Sequence, residues 1–322
     1  MTSQNAGPAT TSTANTSPAN TSPAKTAGTL EVSGAHLYYE TWGFERADAP
    51  LLLLIPGGLG DAGFYSSLGP ALADDYRVLT YDRRGNSRST VASPHGEARI
   101  EEQTADALAL LDALGDTDDT DDTGSDDEPG PAPAYVFGGS GGAIIGLDLA
   151  ARHPHRVRAL VAHEPPVVTV LPEAEKHLAR FENIRTLYRT EGTEKAMAAF
   201  GADYAGGDEQ DFEIDPELPP DRDIQRRFAG NFDTFLSMEM LPFVRYEPDV
   251  TALRAAASAG TRLVLAGGER SSAHYPYRAG AVLAERIGRE YAEFVDFPGD
   301  HAGYLGRPRA FAEKLRAVLR AG

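Results

Sequence analysis

With 322 residues, 41% of them hydrophobic, the chain can bury one large core and carry an inserted subdomain. Its formal net charge of −18 argues against nucleic acid or an anionic membrane as a partner. There is no cysteine, which removes disulfides, thiolate nucleophiles and cysteine metal sites, and neither a metal nor another cofactor is expected.

Residues 1–28 consist mostly of Thr, Ser, Pro, Ala and Asn and predict a disordered tail. They lack the basic start and apolar stretch of a secretory leader, so the cytoplasm is the default location. Order is expected from Thr29, where Leu30 to Val32 and His36 to Trp42 flank Ser33-Gly34 as an antiparallel hairpin. Leu51 to Ile55 is a continuous apolar run, the pattern of a strand covered on both faces. It leads into Pro56-Gly57-Gly58-Leu59-Gly60 and a helix expected over Asp61 to Ala73. A strand at Tyr76 to Tyr81 runs into Asp82-Arg83-Arg84-Gly85-Asn86-Ser87-Arg88-Ser89, and Glu101 to Leu114 has helical spacing.

Residues 115–133 then interrupt the pattern, with eight of the eighteen net negative charges between Asp116 and Glu128. Asp119, Asp121 and Gly124 mimic the start of a calcium loop, but Gly130 stands where its closing glutamate belongs. A solvated, disordered loop is the expectation. Further strands are expected at Tyr135 to Phe137, Val157 to Ala162, Arg262 to Ala266 and Tyr291 to Phe297. Helices are expected over Ala143 to Arg152, Tyr277 to Ile287 and Pro308 to Leu319, with a helix-rich, strand-poor stretch from Pro172 to Leu253. This alternation predicts an α/β fold with a doubly wound, mostly parallel sheet. No apolar run is long enough to span a bilayer.

The chemistry centres on Gly138-Gly139-Ser140-Gly141-Gly142, between a strand and a helix. Such a tight turn holds a serine hydroxyl out as a nucleophile and needs small neighbours; the alternative is an ordinary glycine-rich turn. Serine needs a base, and His301, in Gly299-Asp300-His301 after the last strand, is the best placed of the eight histidines. Two carboxylates, Glu164 and Glu269, each satisfy the order serine, acid, histidine. The N–H groups of Gly58 and Gly141 are the candidate oxyanion donors. All of these residues lie just past strand ends, at the edge where open α/β sheets bind ligands.

In these motifs and their order, residues 29–322 outside the acidic insert resemble the α/β-hydrolase superfamily. The chain departs from it with Pro56-Gly57 where His-Gly is usual. It also has Arg270 or Ser271 where many members carry an aspartate after the penultimate strand. Other members carry a glutamate after the strand following the nucleophile, and Glu164, twenty-four residues beyond Ser140, matches that pattern and is preferred over Glu269. The resemblance implies a core at 29–166 and 254–322 with a helical lid at 167–253. Leu59, and within the lid Phe232, Phe235, Met238 and Phe243, are candidate pocket residues, the lid residues being otherwise the lid's own core.

The implied activity is a serine hydrolase that cleaves a small, apolar ester or lactone through an acyl-enzyme. One alternative is an amidase or aminopeptidase like the proline iminopeptidases, with lid acids such as Glu239 binding a substrate amine. Carbon–carbon cleavage or lyase chemistry at the same site, and a non-catalytic binding protein on this scaffold, are the others. The sequence specifies no oligomeric state.

Overall fold

In the computed structural model, residues 23–92, 96–115, 131–202 and 217–321 are described. Most of the expected tail, and the acidic insert except for its ends, lie outside them. The first strand, β1, spans Lys25–Val32 and so starts four residues before the expected boundary. Its partner β2, Ala35–Trp42, pairs with it antiparallel over the full length, from Lys25 opposite Trp42 to Val32 opposite Ala35. Polar side chains hold the early part: Lys25 Nζ lies 3.2 Å from Glu40, and the Thr26 and Thr41 hydroxyls are 2.5 Å apart. Composition alone made this segment read as tail; a cross-strand partner made it strand.

β3 is Leu51–Ile55, with Leu51, Leu53 and Ile55 packed on one face of the sheet and Leu52 and Leu54 on the other. The helix expected over Asp61 to Ala73 divides into a 3₁₀ turn, Ala62–Tyr65, and α1, Leu68–Leu72. Pro70 donates no hydrogen bond and so belongs in a first turn, which forces a new helix to start just before it. Next come β4 (Arg77–Tyr81), β5 (Thr90–Val91), α2 (Ile100–Leu114), β6 (Ala134–Gly139), α3 (Gly141–Arg152) and β7 (Val157–His163).

Between β7 and β8 (Arg262–Gly268) the described residues form helices only. These are α4 (Ala174–Glu191), α5 (Thr193–Gly201), α6 (Ile224–Gly230), α7 (Phe232–Thr234), α8 (Met240–Arg245) and α9 (Val250–Ser258), with a π-helical turn at Phe235–Glu239 joining α7 to α8. The expected insert boundary at 253 falls inside α9. That helix buries Leu253 and Ala256 and packs on α3 and on α10 (Tyr275–Ile287), so it belongs with the helices that cover the sheet. β9 (Ala292–Phe297), α11 (Gly303–Gly306) and α12 (Pro308–Arg320) complete the chain.

The sheet runs β1-β2-β4-β3-β6-β7-β8-β9, with β5 added on β2. All pairings from β4 to β9 are parallel, and β2 meets β1, β4 and β5 antiparallel. The chain leaves β3 in one direction toward β4 and later returns on its other side as β6. The border between β3 and β6 is therefore the switch point where the connections on either side diverge and open a crevice. Among the described residues, no helix is long and apolar enough to cross a membrane.

Candidate active site

The crevice is built from the carboxyl ends of β3, β6, β7 and β9. At the end of β6, Ser140 has φ 53° and ψ −121°, a conformation that L residues avoid. Its neighbours explain how the turn closes. A Cβ on Gly138 would sit 2.3 Å from the Gly142 carbonyl oxygen, and one on Gly142 would sit 2.1 Å from that of Ile55. Only glycine lets α3 start this close to β3 and β6. The Ser140 N–H donates to the His163 carbonyl at 2.8 Å, which ties the turn to β7. Gly141 opens α3, where the first N–H groups have no partner within the helix and the helix dipole is positive.

The loop after β3 lies directly over this turn. The Gly60 N–H donates to the Gly57 carbonyl at 3.2 Å, and Leu59 takes φ 66°. The Gly58 nitrogen lies 3.2 Å from where a Gly141 Cβ would be, so the two candidate oxyanion donors are neighbours.

His301 comes from the loop after β9, and its Nδ1 is 2.6 Å from Glu164 Oε2. Glu164, just past β7, is fully buried at φ 48°. Its own N–H donates to the Ala266 carbonyl, and its Oε1 accepts from the Gly268 N–H, each at 2.8 Å. Burial by itself would raise the carboxyl pKa. The charge and hydrogen bond of His301, together with the Gly268 N–H, outweigh it and lower the value to about 2. The alternative acid, Glu269, has an exposed side chain, and its N–H donates to the Phe297 carbonyl. Of the two candidates, Glu164 is the one bonded to the imidazole.

His163, one residue before Glu164, points to the opposite face of the sheet as strand alternation requires. There its ring sits among Phe137, Phe297, Tyr304 and Phe311, with centroid separations from 5.5 to 6.2 Å. Neither ring nitrogen has a hydrogen-bond partner among the described residues, and burial pushes the pKa down to about 4.

Ser140, His301, Gly58 and Gly141 all line one cavity of about 450 Å³. Of the candidate pocket residues, Leu59, Phe235 and Phe243 line it, whereas Phe232 and Met238 do not. Phe232 packs edge-on against Phe228, with ring centroids 5.4 Å apart. Met238 borders a surface hollow with Glu97 and Arg185. For Met238 the π-helical turn offers a reason, because its wider winding moves the residues after Phe235 away from ideal helical spacing, and Met240, Phe243 and Val244 line the cavity instead. Other walls come from distant segments, including Phe64, Phe200, Tyr275 and Leu305. No Asp, Glu, Lys or Arg is among the described residues that line it.

Glu239 likewise does not line this cavity. Its carboxylate is buried against Arg83, with contacts of 2.6 and 3.0 Å, and accepts from Asn86 Nδ2 at 2.8 Å. The expectation that it meets a substrate amine is therefore corrected. Asp82 and Arg84 have structural partners. Asp82 accepts from the Ala62 N–H and from Arg88, and Arg84 is paired with Asp106.

A strained serine at a strand–helix turn, sharing one cavity with a carboxylate-bound histidine at the switch point of a mostly parallel sheet, is the arrangement of the α/β-hydrolase class. Residues 52–314 match the model of the Alpha/beta hydrolase family, and the chain belongs to that family. It is 34% identical over 295 residues to the uncharacterized hydrolase YraK of Bacillus subtilis (strain 168), covering 91% of this chain and 95% of that protein. Among solved structures, the enol-lactonase from Burkholderia xenovorans LB400 superposes with a TM-score of 0.60 at 22% identity, over 91% of this chain and 99% of its own. A thermophilic esterase from Thermogutta terrifontis gives 0.64 at 19% identity, over 92% and 98%. At these identities the two structures speak for the fold alone.

Proposed function

We propose that this hydrolase cleaves an uncharged carboxylic ester or lactone through an acyl-enzyme on Ser140. The 2.6 Å contact between His301 Nδ1 and Glu164 Oε2 carries the reading, because it leaves Nε2 as the base on the cavity side. Ser140 Oγ attacks the carbonyl carbon while His301 Nε2 takes its proton, and the N–H groups of Gly58 and Gly141 bind the oxyanion that forms. Collapse expels the alkoxide, which takes the proton from His301. A water activated by the same imidazole then hydrolyses the acyl-enzyme. Glu164 stays ionised throughout, holding the imidazole tautomer and stabilising the imidazolium.

The cavity supports an apolar substrate. Among the described residues its lining offers no Asp, Glu, Lys or Arg to pair with a substrate carboxylate or ammonium, and an unpaired charge against those walls would be desolvated at high cost. Esters with a neutral, medium-length acyl group suit it better than dicarboxylate esters or aminoacyl amides. The aminopeptidase alternative loses Glu239 as an amine-binding acid, since that carboxylate is engaged by Arg83. We assign the helical segment between β7 and β8 the part of a lid over this cavity, supported by the lining it contributes.

The test is turnover of p-nitrophenyl butyrate, with fluorophosphonate labelling, in wild type and Ser140→Ala. The wild type is expected to turn over and label at Ser140, and the variant to do neither while keeping its circular dichroism spectrum. Undiminished turnover in the variant ends the proposal.

A further inference from the structure

Arg83 and Glu239 are both fully buried, yet neither borders the cavity. A buried ion pair gains little over an apolar pair of the same volume, so its presence calls for a task that apolar side chains cannot perform. The other acceptor of the guanidinium points to one. Arg83 Nη2 donates to the Gly57 carbonyl at 2.9 Å. The Gly57–Gly58 peptide is trans, so its C=O and N–H point in opposite directions. A donor that fixes the carbonyl on the Arg83 side therefore aims the Gly58 N–H the other way, toward Gly141 and Ser140.

The segment between β7 and β8 reaches this loop at two places and Arg83 at a third, the three spaced four residues apart. Asn231 Nδ2 donates to the Leu59 carbonyl at 2.9 Å. The Phe235 ring lies so close to Gly58 that a Cβ there would be 2.6 Å from it. Glu239 holds Arg83 through both carboxylate oxygens, helped by Asn86. Asn231 precedes α7, and Phe235 and Glu239 begin and end the π-helical turn, a distortion common at functional sites.

We propose that Arg83 and Glu239 are positioning residues that orient the Gly58 N–H as an oxyanion donor, so that the helical segment must be seated before the oxyanion hole is complete. The proposal rests on the serine-hydrolase reading above. Arg83 touches no reacting atom; it acts through the Gly57–Gly58 peptide. A misaimed donor weakens binding of the tetrahedral oxyanion and leaves ground-state binding, made by the apolar walls, nearly unchanged.

The experiment uses Arg83→Met/Glu239→Leu, which removes both charges and strands neither. Steady-state hydrolysis of p-nitrophenyl butyrate is measured beside inhibition by an aryl trifluoromethyl ketone, whose serine adduct carries an oxyanion. We expect kcat to fall about 10- to 100-fold with KM within about twofold, and the ketone to bind more weakly by the same factor as kcat falls. Glu239→Gln, which keeps a side chain that Arg83 can bond, is expected to lose less in both measurements and in the same proportion. It decides the matter alone should the double variant not fold. Unchanged kcat, or a loss of kcat without a matching loss of ketone affinity, overturns the proposal. Both outcomes leave the serine-hydrolase reading intact, because that reading fails only if activity survives Ser140→Ala.

Discussion

His163→Leu is the sharpest test of the electrostatics beside the site. The imidazole is fully buried in an aromatic cage, and its pKa is held at about 4 against an ordinary value of 6.5. A lowered pKa means that the unfolded chain binds a proton at a higher pH than the native protein does. Stability from this group is therefore complete above 6.5 and is lost as pH falls from 6.5 through 4. Between about pH 7.5 and about pH 5 the linkage relation gives a loss of about 2 kcal/mol from His163 alone. Glu164 works in the same direction but only below about 4.5, the ordinary carboxyl value, and the lowered His153 and His177 are present in both proteins, so the comparison isolates His163. Leucine has nearly the same volume, keeps the cage filled and cannot titrate, at a cost of under about 1.5 kcal/mol at neutral pH. Urea unfolding at the two pH values, compared between wild type and variant, is the assay. The variant is expected to lose about 2 kcal/mol less than wild type on acidification. Equal losses in the two proteins would refute the argument, as would a ring NMR titration showing His163 protonated near pH 6.

Three further outcomes are expected. Glu164→Gln should reduce kcat for p-nitrophenyl butyrate by about 10³–10⁴, because a neutral amide neither fixes the His301 tautomer nor offsets the imidazolium, while Glu269→Gln should change it less than about twofold; the reverse order would move the acid. Gly142→Ala, whose new methyl would lie 2.1 Å from the Ile55 carbonyl, should lower stability by about 1–3 kcal/mol, seen as a fall in Tm. Phe200→Ala removes a ring from the cavity wall that meets Phe235 at 4.9 Å between centroids, and should shift the preferred p-nitrophenyl ester toward longer acyl chains.

The α/β architecture was legible in the sequence because its signals are local. Leu51 to Ile55 reads as a strand from composition alone, and it is buried on both faces. Gly138 to Gly142 reads as a tight strand–helix turn because no larger residues fit one, and the clash distances at Gly138 and Gly142 bear that out. Chain order placed Ser140, Glu164 and His301 past strand ends, and a parallel sheet gathers such ends on one edge.

What remained open depends on contacts between residues far apart in the chain. Glu164 and Glu269 had equal claims from order alone. The tertiary structure puts one of them 2.6 Å from His301 and leaves the other exposed, because the backbone at Glu164, held at φ 48°, turns its side chain back over β8. Lys25 to Gly28 became strand through pairing with β2, which composition does not register.

Phe232 and Met238 looked like pocket residues by type, yet Phe232 packs on Phe228 and Met238 sits within a π-helical turn that presents other residues to the cavity. Arg83 and Glu239, separated by 156 residues, have no sequence signal that joins them. Local propensity and pattern determined the elements and the elbow. Which side chains face one another, and in what electrostatic surroundings, was decided by packing, since burial and pairing energies exist only once distant segments meet.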